Sequence, residues 1–260
     1  MDRAEMAAQP LWTGTAPGAV GADRADMPTY SVYLPRPETA TGKIVVVLPG
    51  GGYSDHAEHE ASPVGRWLRS IGVVGVVLRY RLAPRYRHPT MLDDALEAVR
   101  LCRRRAESWN ADRSRVGVLG FSAGGHLAAL AATALDADPE ARPDYAVLIY
   151  PVVRMVGSLA HPGCRAALLG DATESQCAAA LDADARVRRG CPPAFVVHGW
   201  DDNVIPVGNS LAYAEACRRA DVPCELHVFA HGPHGFGLGG SGLPVSVWPD
   251  LCADWLGRLA

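Results

Sequence analysis

Residues 115–132 read RVGVLGFSAGGHLAALAA and join an apolar run to a helical pattern through the motif G-x-S-x-G. A strand followed at once by a helix places Ser122 on a turn so tight that side chains two residues away would collide. Gly120 and Gly124 occupy those positions, and the helix points its positive end at the serine. The stretch therefore predicts a strand, a sharp turn that presents a nucleophilic serine, and a helix. A glycine-rich turn without chemistry is the alternative.

Other short apolar runs of the buried-strand type recur along the chain, and helical patterns alternate with them. The runs cover residues 44–48, 73–78, 116–119, 145–149, 194–197 and 225–229, after an alternating strand at 30–34. The helical patterns cover residues 63–70, 89–104, 122–135, 208–220 and 251–259. Such alternation predicts an α/β fold with a mostly parallel central sheet, flanked by helices on both faces. Sheets of this kind bind ligands at the carboxyl ends of their strands.

Two segments depart from this rhythm. Residues 1–28 are rich in Ala, Gly, Pro and Asp without clean periodicity, and we expect a leader that is loose or lies over the surface. Residues 151–193 form a longer connection between two strands, which we interpret as a short helical insertion over the sheet edge. Residues 29–260 are then a single α/β domain.

The composition indicates an ordinary globular protein, with 48% hydrophobic residues and a net charge of −3 over 260 residues. This charge does not favour nucleic acid or an anionic membrane as a partner. The seven cysteines include no C-x-x-C pair and no zinc-finger spacing with histidine, which favours free, buried thiols in a reducing compartment. Residues 1–6 lack the apolar core of a signal peptide, and no apolar stretch approaches the roughly 20 residues of a membrane span. We therefore expect a cytoplasmic protein.

An acid and a base follow the serine in the chain. A serine hydroxyl needs a base to take its proton, and that base needs an orienting carboxylate. Asp201 and Asp202 lie just beyond the apolar run at 194–197, and His231 and His234 lie beyond the run at 225–229. Both loops end at the edge of the sheet where Ser122 lies, so the pattern predicts a Ser, Asp, His triad. The residues alone leave the choice within each pair open.

A glycine-rich loop, Pro49-Gly50-Gly51-Gly52-Tyr53, follows the run at 44–48. Acyl transfer places negative charge on the former carbonyl oxygen, and bare backbone N–H groups stabilise that charge. We expect Gly51 and Gly52 to supply such groups together with the N–H of Ala123. A phosphate cradle is the alternative, but the loop lacks the G-x-x-x-x-G-K-[ST] and G-x-G-x-x-G spacings.

In combination these segments resemble the α/β-hydrolase fold, and within it the acetyl-esterase/feruloyl-esterase-like branch related to the hormone-sensitive-lipase-like group. The resemblance runs from about residue 32 to the end of the chain and includes the pattern of residues 78–84. It implies an α/β-hydrolase domain with a minimal cap. The family patterns H-G-x-x-D-x-x-V-P and G-x-x-H-G-F favour Asp202 as the acid and His234 as the base. Pro49 departs from the histidine that usually precedes the glycines in the lipase-like group.

The resemblance implies a serine carboxylester hydrolase that acts on small, acetyl-type esters through an acyl-enzyme, with a sugar or natural-product alcohol as the candidate alcohol portion. The alternatives are an arylformamidase or thioesterase with the same triad, a biosynthetic acyltransferase or cyclase, and a non-catalytic binding protein. No metal or organic cofactor is required. We expect a small-molecule ester as the partner. The sequence leaves the oligomeric state open, with a homodimer as one alternative.

The remaining aromatic and histidine residues near these motifs have weaker interpretations. Tyr53 and Trp200 flank the predicted site, where they would either contact a substrate or pack in the core or rim. His198 is expected to support the acid loop, and His126 to pack behind the serine. A cluster of acidic and histidine side chains is interpreted as a solvated loop or a first helical turn and not as a metal site, because no metal-binding spacing is present. Its members are Asp55, His56, Glu58, His59 and Glu60.

Overall fold

The computed structural model describes residues 5–170 and 181–259, which contain one eight-stranded sheet. The strands, in chain order, are β1 (Glu5–Pro10), β2 (Thr29–Tyr33), β3 (Ile44–Leu48), β4 (Val74–Arg79), β5 (Val116–Phe121), β6 (Tyr145–Ile149), β7 (Ala194–Gly199) and β8 (Cys224–Phe229). Their order across the sheet is β1-β2-β4-β3-β5-β6-β7-β8. Strand β2 pairs antiparallel with β1 and with β4, and the other neighbours pair parallel. The predicted α/β class is confirmed.

Helices cover both faces of the sheet, as their apolar patterns predict. The helices are α1 (Ser62–Ser70), α2 (Thr90–Arg105), α3 (Ser122–Ala132), α4 (Pro162–Leu169), α5 (Gly208–Arg219) and α6 (Trp248–Arg258). Side chains of α1 and α6 share one apolar cluster with one face of the sheet, and those of α2, α3 and α5 share a second cluster with the other face. Every residue of β3, β5 and β6 is buried, which explains why these strands have continuous apolar sequences.

The carboxyl ends of the parallel strands lie together at one end of the sheet, and the strand register places the segments that follow them side by side. Leu48 of β3 pairs with Gly120 of β5, and Phe121 pairs with Ile149 of β6. At the same end of the sheet, Gly199 of β7 pairs with Phe229 of β8. The loops after β3, β5, β6, β7 and β8 therefore converge on one site.

The predicted leader contains a strand that the sequence pattern does not indicate. Glu5–Pro10 pairs antiparallel with β2 at the edge of the sheet, with an irregularity in register between Met6 and Gln9. Its sequence, EMAAQP, lacks apolar alternation. Beyond it, Leu11 and Ala16 are buried, so this part of the leader lies against the domain. Residues 1–4 are outside the described residues.

The predicted insertion at 151–193 contains helix α4 and a short 3-10 turn, Ala183–Arg186. Its residues 171–180 lie outside the described residues. In the described parts of the chain, no helix combines the length and apolar character that crossing a membrane requires.

Candidate active site

Ser122 lies at the junction of β5 and α3, in the left-handed backbone conformation with φ at +51°. The glycines on either side permit this turn. A Cβ on Gly120 would lie 2.0 Å from the Gly124 carbonyl oxygen, and one on Gly124 would lie 2.0 Å from the Leu48 carbonyl oxygen. Both contacts are with backbone atoms, so no other residue fits either position. A left-handed serine is a strained arrangement of the kind found at functional sites, and it sits where the first N–H groups of α3 have no helical acceptor.

His234 and Asp202 complete a hydrogen-bonded chain with this serine. The Ser122 Oγ lies 2.9 Å from His234 Nε2, and His234 Nδ1 lies 2.7 Å from Asp202 Oδ2. A carboxylate only accepts hydrogen bonds, so Nδ1 carries the hydrogen and the Nε2 lone pair faces the serine hydroxyl. The loops after β5, β7 and β8 supply one residue each. The structure thus brings together the three residues that the family patterns favour.

Asp202 is held ionised by its surroundings. Burial alone would raise the pKa of this carboxyl, but hydrogen bonds from His198 and His234 and from the Ile205 N–H hold the pKa well below its usual range. Asp202 Oδ1 accepts hydrogen bonds from the N–H groups of Val204 and Ile205 at 2.9 and 2.8 Å. These backbone donors fix the carboxylate so that Oδ2 faces the histidine.

The competing residues Asp201 and His231 form a separate, exposed pair. His231 Nδ1 lies 3.2 Å from Asp201 Oδ2, and Asp201 Oδ1 accepts from the Gly232 N–H at 2.7 Å. The hydrogen bond to Ser122 comes from His234 and not from His231. The Asp201 carboxylate therefore fastens the acid loop to the histidine loop, in agreement with its interpretation as a loop residue.

Two further histidines are buried near the site. His198 Nδ1 lies 2.7 Å from the Ser210 hydroxyl, and its Nε2 lies 3.0 Å from the Ile205 carbonyl and 3.3 Å from Asp202 Oδ2. His126 is fully buried in the helix that follows Ser122. His198 thus supports the acid loop, and His126 packs in the helix behind the serine, as the sequence predicts.

The glycine-rich loop lies beside Ser122. Gly51 and Gly52 have φ values of +120° and +64°, and in the described part of the chain their N–H groups donate no hydrogen bond to a protein acceptor. Ala123 is the second residue of α3, so its N–H also lacks a helical acceptor. Three N–H groups without protein acceptors among the described residues are thus available near the serine, and their role in binding an oxyanion stays a prediction.

Of the two aromatic side chains predicted to flank substrate, only Trp200 is accessible. Tyr53 has φ at +66° and is fully buried, and its hydroxyl lies 2.7 Å from His126 Nδ1. A substrate cannot contact this ring, so the substrate-binding prediction for Tyr53 is corrected to a core position. Trp200 follows β7 and is 64% exposed, and its contact with substrate stays a prediction.

Two residues at the site are not found by sequence reasoning. The sequence places Glu60 in a solvated loop, but it is 2% exposed, and Tyr150, which follows β6, is fully buried against the His234 ring. Glu60 sits among exposed charged residues in the sequence, so no local signal marks it. Tyr150 carries one weak signal, since it directly follows a strand that ends at the site.

No cluster of three or more histidine, cysteine or acidic side chains in the described residues could hold a metal.

Comparison with known proteins identifies the family of the chain. A family model described as an alpha/beta hydrolase fold matches residues 45–238, which include Ser122, Asp202 and His234. The chain belongs to the alpha/beta hydrolase family. Among solved structures, the acetyl ester-xyloside bifunctional hydrolase from Caldicellulosiruptor lactoaceticus is 40% identical with a TM-score of 0.87, and the match covers 96% of this chain and 95% of that one.

Curated relatives of this alpha/beta hydrolase include enzymes named for xylan. Acetylxylan esterase from Xylanibacter ruminicola is 34% identical over 208 residues, which are 78% of this chain and 43% of that protein. Endo-1,4-beta-xylanase B from Butyrivibrio fibrisolvens is 31% identical over 205 residues, which are 74% of this chain and 32% of that protein. The chain thus spans less than half the length of these two curated relatives.

Proposed function

We propose that this alpha/beta hydrolase is a serine carboxylester hydrolase that cleaves small, acetyl-type esters through an acyl-enzyme. The observation that carries the proposal is the chain from Asp202 through His234 to Ser122, with contacts of 2.7 and 2.9 Å. The matched relatives named as esterases support the same activity.

The geometry supports a two-step mechanism. His234 Nε2 removes the proton from the Ser122 hydroxyl as its oxygen attacks the ester carbonyl, and Asp202 stabilises the imidazolium that forms. The N–H groups of Gly51, Gly52 and Ala123 stabilise the negative charge on the former carbonyl oxygen. The imidazolium then gives its proton to the departing alcohol. Water, activated by the same histidine, hydrolyses the acyl-enzyme and releases the acid.

We further propose that the alcohol is a sugar, with acetylated xylosides as the substrate class. Support comes from the names of two similar proteins, acetylxylan esterase and acetyl ester-xyloside bifunctional hydrolase. The exposed Trp200 ring is a flat apolar surface at the site edge on which a sugar can stack.

We also propose a cytoplasmic location, supported by the six described cysteines, which are all free. A homodimer and the absence of a nucleic-acid partner stay predictions.

A substrate panel tests the proposal. It compares p-nitrophenyl acetate with the butyrate and octanoate esters, and acetylated xylo-oligosaccharides with an N-formylated aromatic amine and an acyl thioester. We expect the highest kcat/KM among the p-nitrophenyl esters for the acetate, and acetate release from the oligosaccharides. Faster turnover of the formamide or the thioester would contradict ester hydrolysis as the main activity. Acetate release that is equal for wild type and Trp200→Ala would contradict the sugar-stacking role.

A further inference from the structure

Glu60 links the glycine-rich loop to the interior of the protein. It ends a short 3-10 turn, Glu58–Glu60, and is 2% exposed. Its Oε2 accepts a hydrogen bond from the Gly50 N–H at 2.7 Å, and its Oε1 accepts one from the Tyr150 hydroxyl at 2.7 Å. Both carboxylate oxygens therefore have donors, one of them in the loop that offers N–H groups to the site.

Tyr150 connects this carboxylate to the histidine loop. Its hydroxyl accepts a hydrogen bond from the Gly237 N–H at 3.0 Å, three residues after His234. Its ring packs edge-on against the His234 ring, with the centroids 5.0 Å apart. Tyr150 also has a positive φ of +38°, which is rare for a residue with a large side chain and is found where the surrounding structure enforces it.

Gly50 lies close to both Glu60 and Ser122. A Cβ at Gly50 would lie 2.7 Å from Glu60 Oε2 and 3.0 Å from the Ser122 Cβ. The start of the glycine-rich loop thus lies close to both Ser122 and the buried carboxylate, with no room for a side chain. A displacement of Glu60 would move the loop relative to Ser122.

The ionised form of Glu60 fits this arrangement. Burial raises the pKa of the carboxyl, and the hydrogen bonds from Tyr150 and Gly50 oppose that rise. A proton on Oε2 would face the Gly50 N–H donor, and a proton on Oε1 would make the Tyr150 hydroxyl an acceptor and leave its own hydrogen without one. The His59 Nε2 lies 3.5 Å from Glu60 Oε1 and 3.0 Å from the Gly235 carbonyl oxygen.

We propose that Glu60 and Tyr150 are positioning residues that hold the oxyanion loop and the His234 loop in register across Ser122. The inference rests on the proposed serine hydrolase function. Its physical basis is that the loop N–H groups and His234 act on the same reacting carbonyl, so their relative placement matters to within a fraction of an ångström. The continuous chain from Gly50 through Glu60 and Tyr150 to Gly237 provides that placement.

The test uses Glu60→Gln and Tyr150→Phe, which change hydrogen bonding and almost no volume. In Glu60→Gln the amide oxygen can keep the Gly50 N–H, and the NH₂ group then faces the Tyr150 hydroxyl. That hydroxyl already accepts from the Gly237 N–H and would have to accept from the NH₂ group as well, so its own hydrogen loses the charged acceptor that Glu60 provides. Each variant should lower kcat for p-nitrophenyl acetate by about 10- to 100-fold with KM changed less than about threefold. Both variants interrupt the same series of hydrogen bonds. The fold reduction of kcat in the double variant should therefore be smaller than the product of the two single reductions.

Matched controls separate positioning from stability. Glu97→Gln removes a largely buried carboxylate from its pairs with Arg100 and Arg104 on α2. Tyr145→Phe removes a buried hydroxyl that donates to the Ile44 carbonyl at the opposite end of the sheet. Both controls should keep wild-type kcat even where they lower the melting temperature as much as the test variants do.

A second readout is the affinity for phenylboronic acid, which forms a tetrahedral adduct with an active serine. The test variants should bind it about tenfold or more weakly, and the controls should bind it like wild type. Should Ser122→Ala lose turnover while Glu60→Gln and Tyr150→Phe keep wild-type kcat and boronate affinity, the positioning role is wrong and the hydrolase proposal stands. If Ser122→Ala keeps turnover, the proposed function itself fails.

Discussion

Replacement of Asp202 by asparagine is the substitution for which the hydrogen bonds make the sharpest prediction. The Val204 and Ile205 N–H groups donate to Oδ1 at 2.9 and 2.8 Å. The amide oxygen of the introduced asparagine should take this place, because the two backbone N–H groups can only donate, whereas the histidine that faces Oδ2 can change tautomer. The NH₂ group then faces His234 Nδ1, where the carboxylate oxygen accepted at 2.7 Å.

This orientation blocks the base. With a donor facing it, Nδ1 must accept, and the ring hydrogen moves to Nε2. The His234 Nε2 that lies 2.9 Å from the Ser122 Oγ then carries a hydrogen and cannot remove the serine proton. We expect kcat/KM to fall by about 10⁴-fold, which is about 5 kcal/mol of transition-state stabilisation.

The assay measures kcat/KM for p-nitrophenyl acetate and the melting temperature of each variant. Asp201→Asn is the matched control, because Asp201 forms only an exposed pair with His231, and the new amide oxygen can still accept from the Gly232 N–H. We expect a change of less than about threefold for this control. Activity within tenfold of wild type in Asp202→Asn, or a larger loss in Asp201→Asn, would refute the assignment of the acid.

Two further predictions concern stability. Gly124→Ala places a Cβ 2.0 Å from the Leu48 carbonyl oxygen and should cost about 3 kcal/mol or more of unfolding free energy. Gly257 occupies an exposed helical position with open space around it. Gly257→Ala should therefore leave the unfolding free energy unchanged or raise it by up to about 1 kcal/mol, and urea titration of both variants measures the difference. Equal effects of the two substitutions would contradict the packing argument. His126 is buried, and burial lowers its pKa from 6.5 to about 4. Between pH 4 and 6.5 this imidazole is therefore protonated in the unfolded chain and neutral in the folded chain. The unfolding free energy should rise with pH over this range by about 1.4 kcal/mol per pH unit. His126→Gln should remove this contribution in urea titrations across that range, and an unchanged slope would show that His126 is not its source.

Local patterns predict the elements that carry the nucleophile, the acid and the base. The strand before Ser122 and the helix after it are each visible in a few consecutive residues, and the parallel topology then brings the strand ends together. The choice of Asp202 over Asp201 requires the family pattern, because adjacent aspartates differ only in the direction of their side chains. The hydrogen bonds to His234 and to Gly232 separate the two in the structure.

What the sequence could not predict depends on contacts between distant segments. Tyr53 adjoins the glycine-rich loop, but its positive φ turns the ring inward to His126, which lies 73 residues later. Glu60 has charged neighbours that are exposed, and only the fold brings Tyr150 to its carboxylate. Strand β1 forms because β2 offers a free edge for pairing, and its own side chains carry no apolar alternation.

The most direct test of the account is the pre-steady-state release of p-nitrophenol from p-nitrophenyl acetate by wild type and by Ser122→Ala. Wild type should show a burst of about one equivalent per chain whenever deacylation is slower than acylation, followed by steady turnover, because acetyl transfers to Ser122 before water removes it. Intact-mass measurement at the end of the burst should find one added acetyl group. Ser122→Ala should show neither the burst nor the added mass. Equal turnover in the two proteins, or an acetyl group on the Ser122→Ala chain, would contradict the central claim that this serine is the nucleophile.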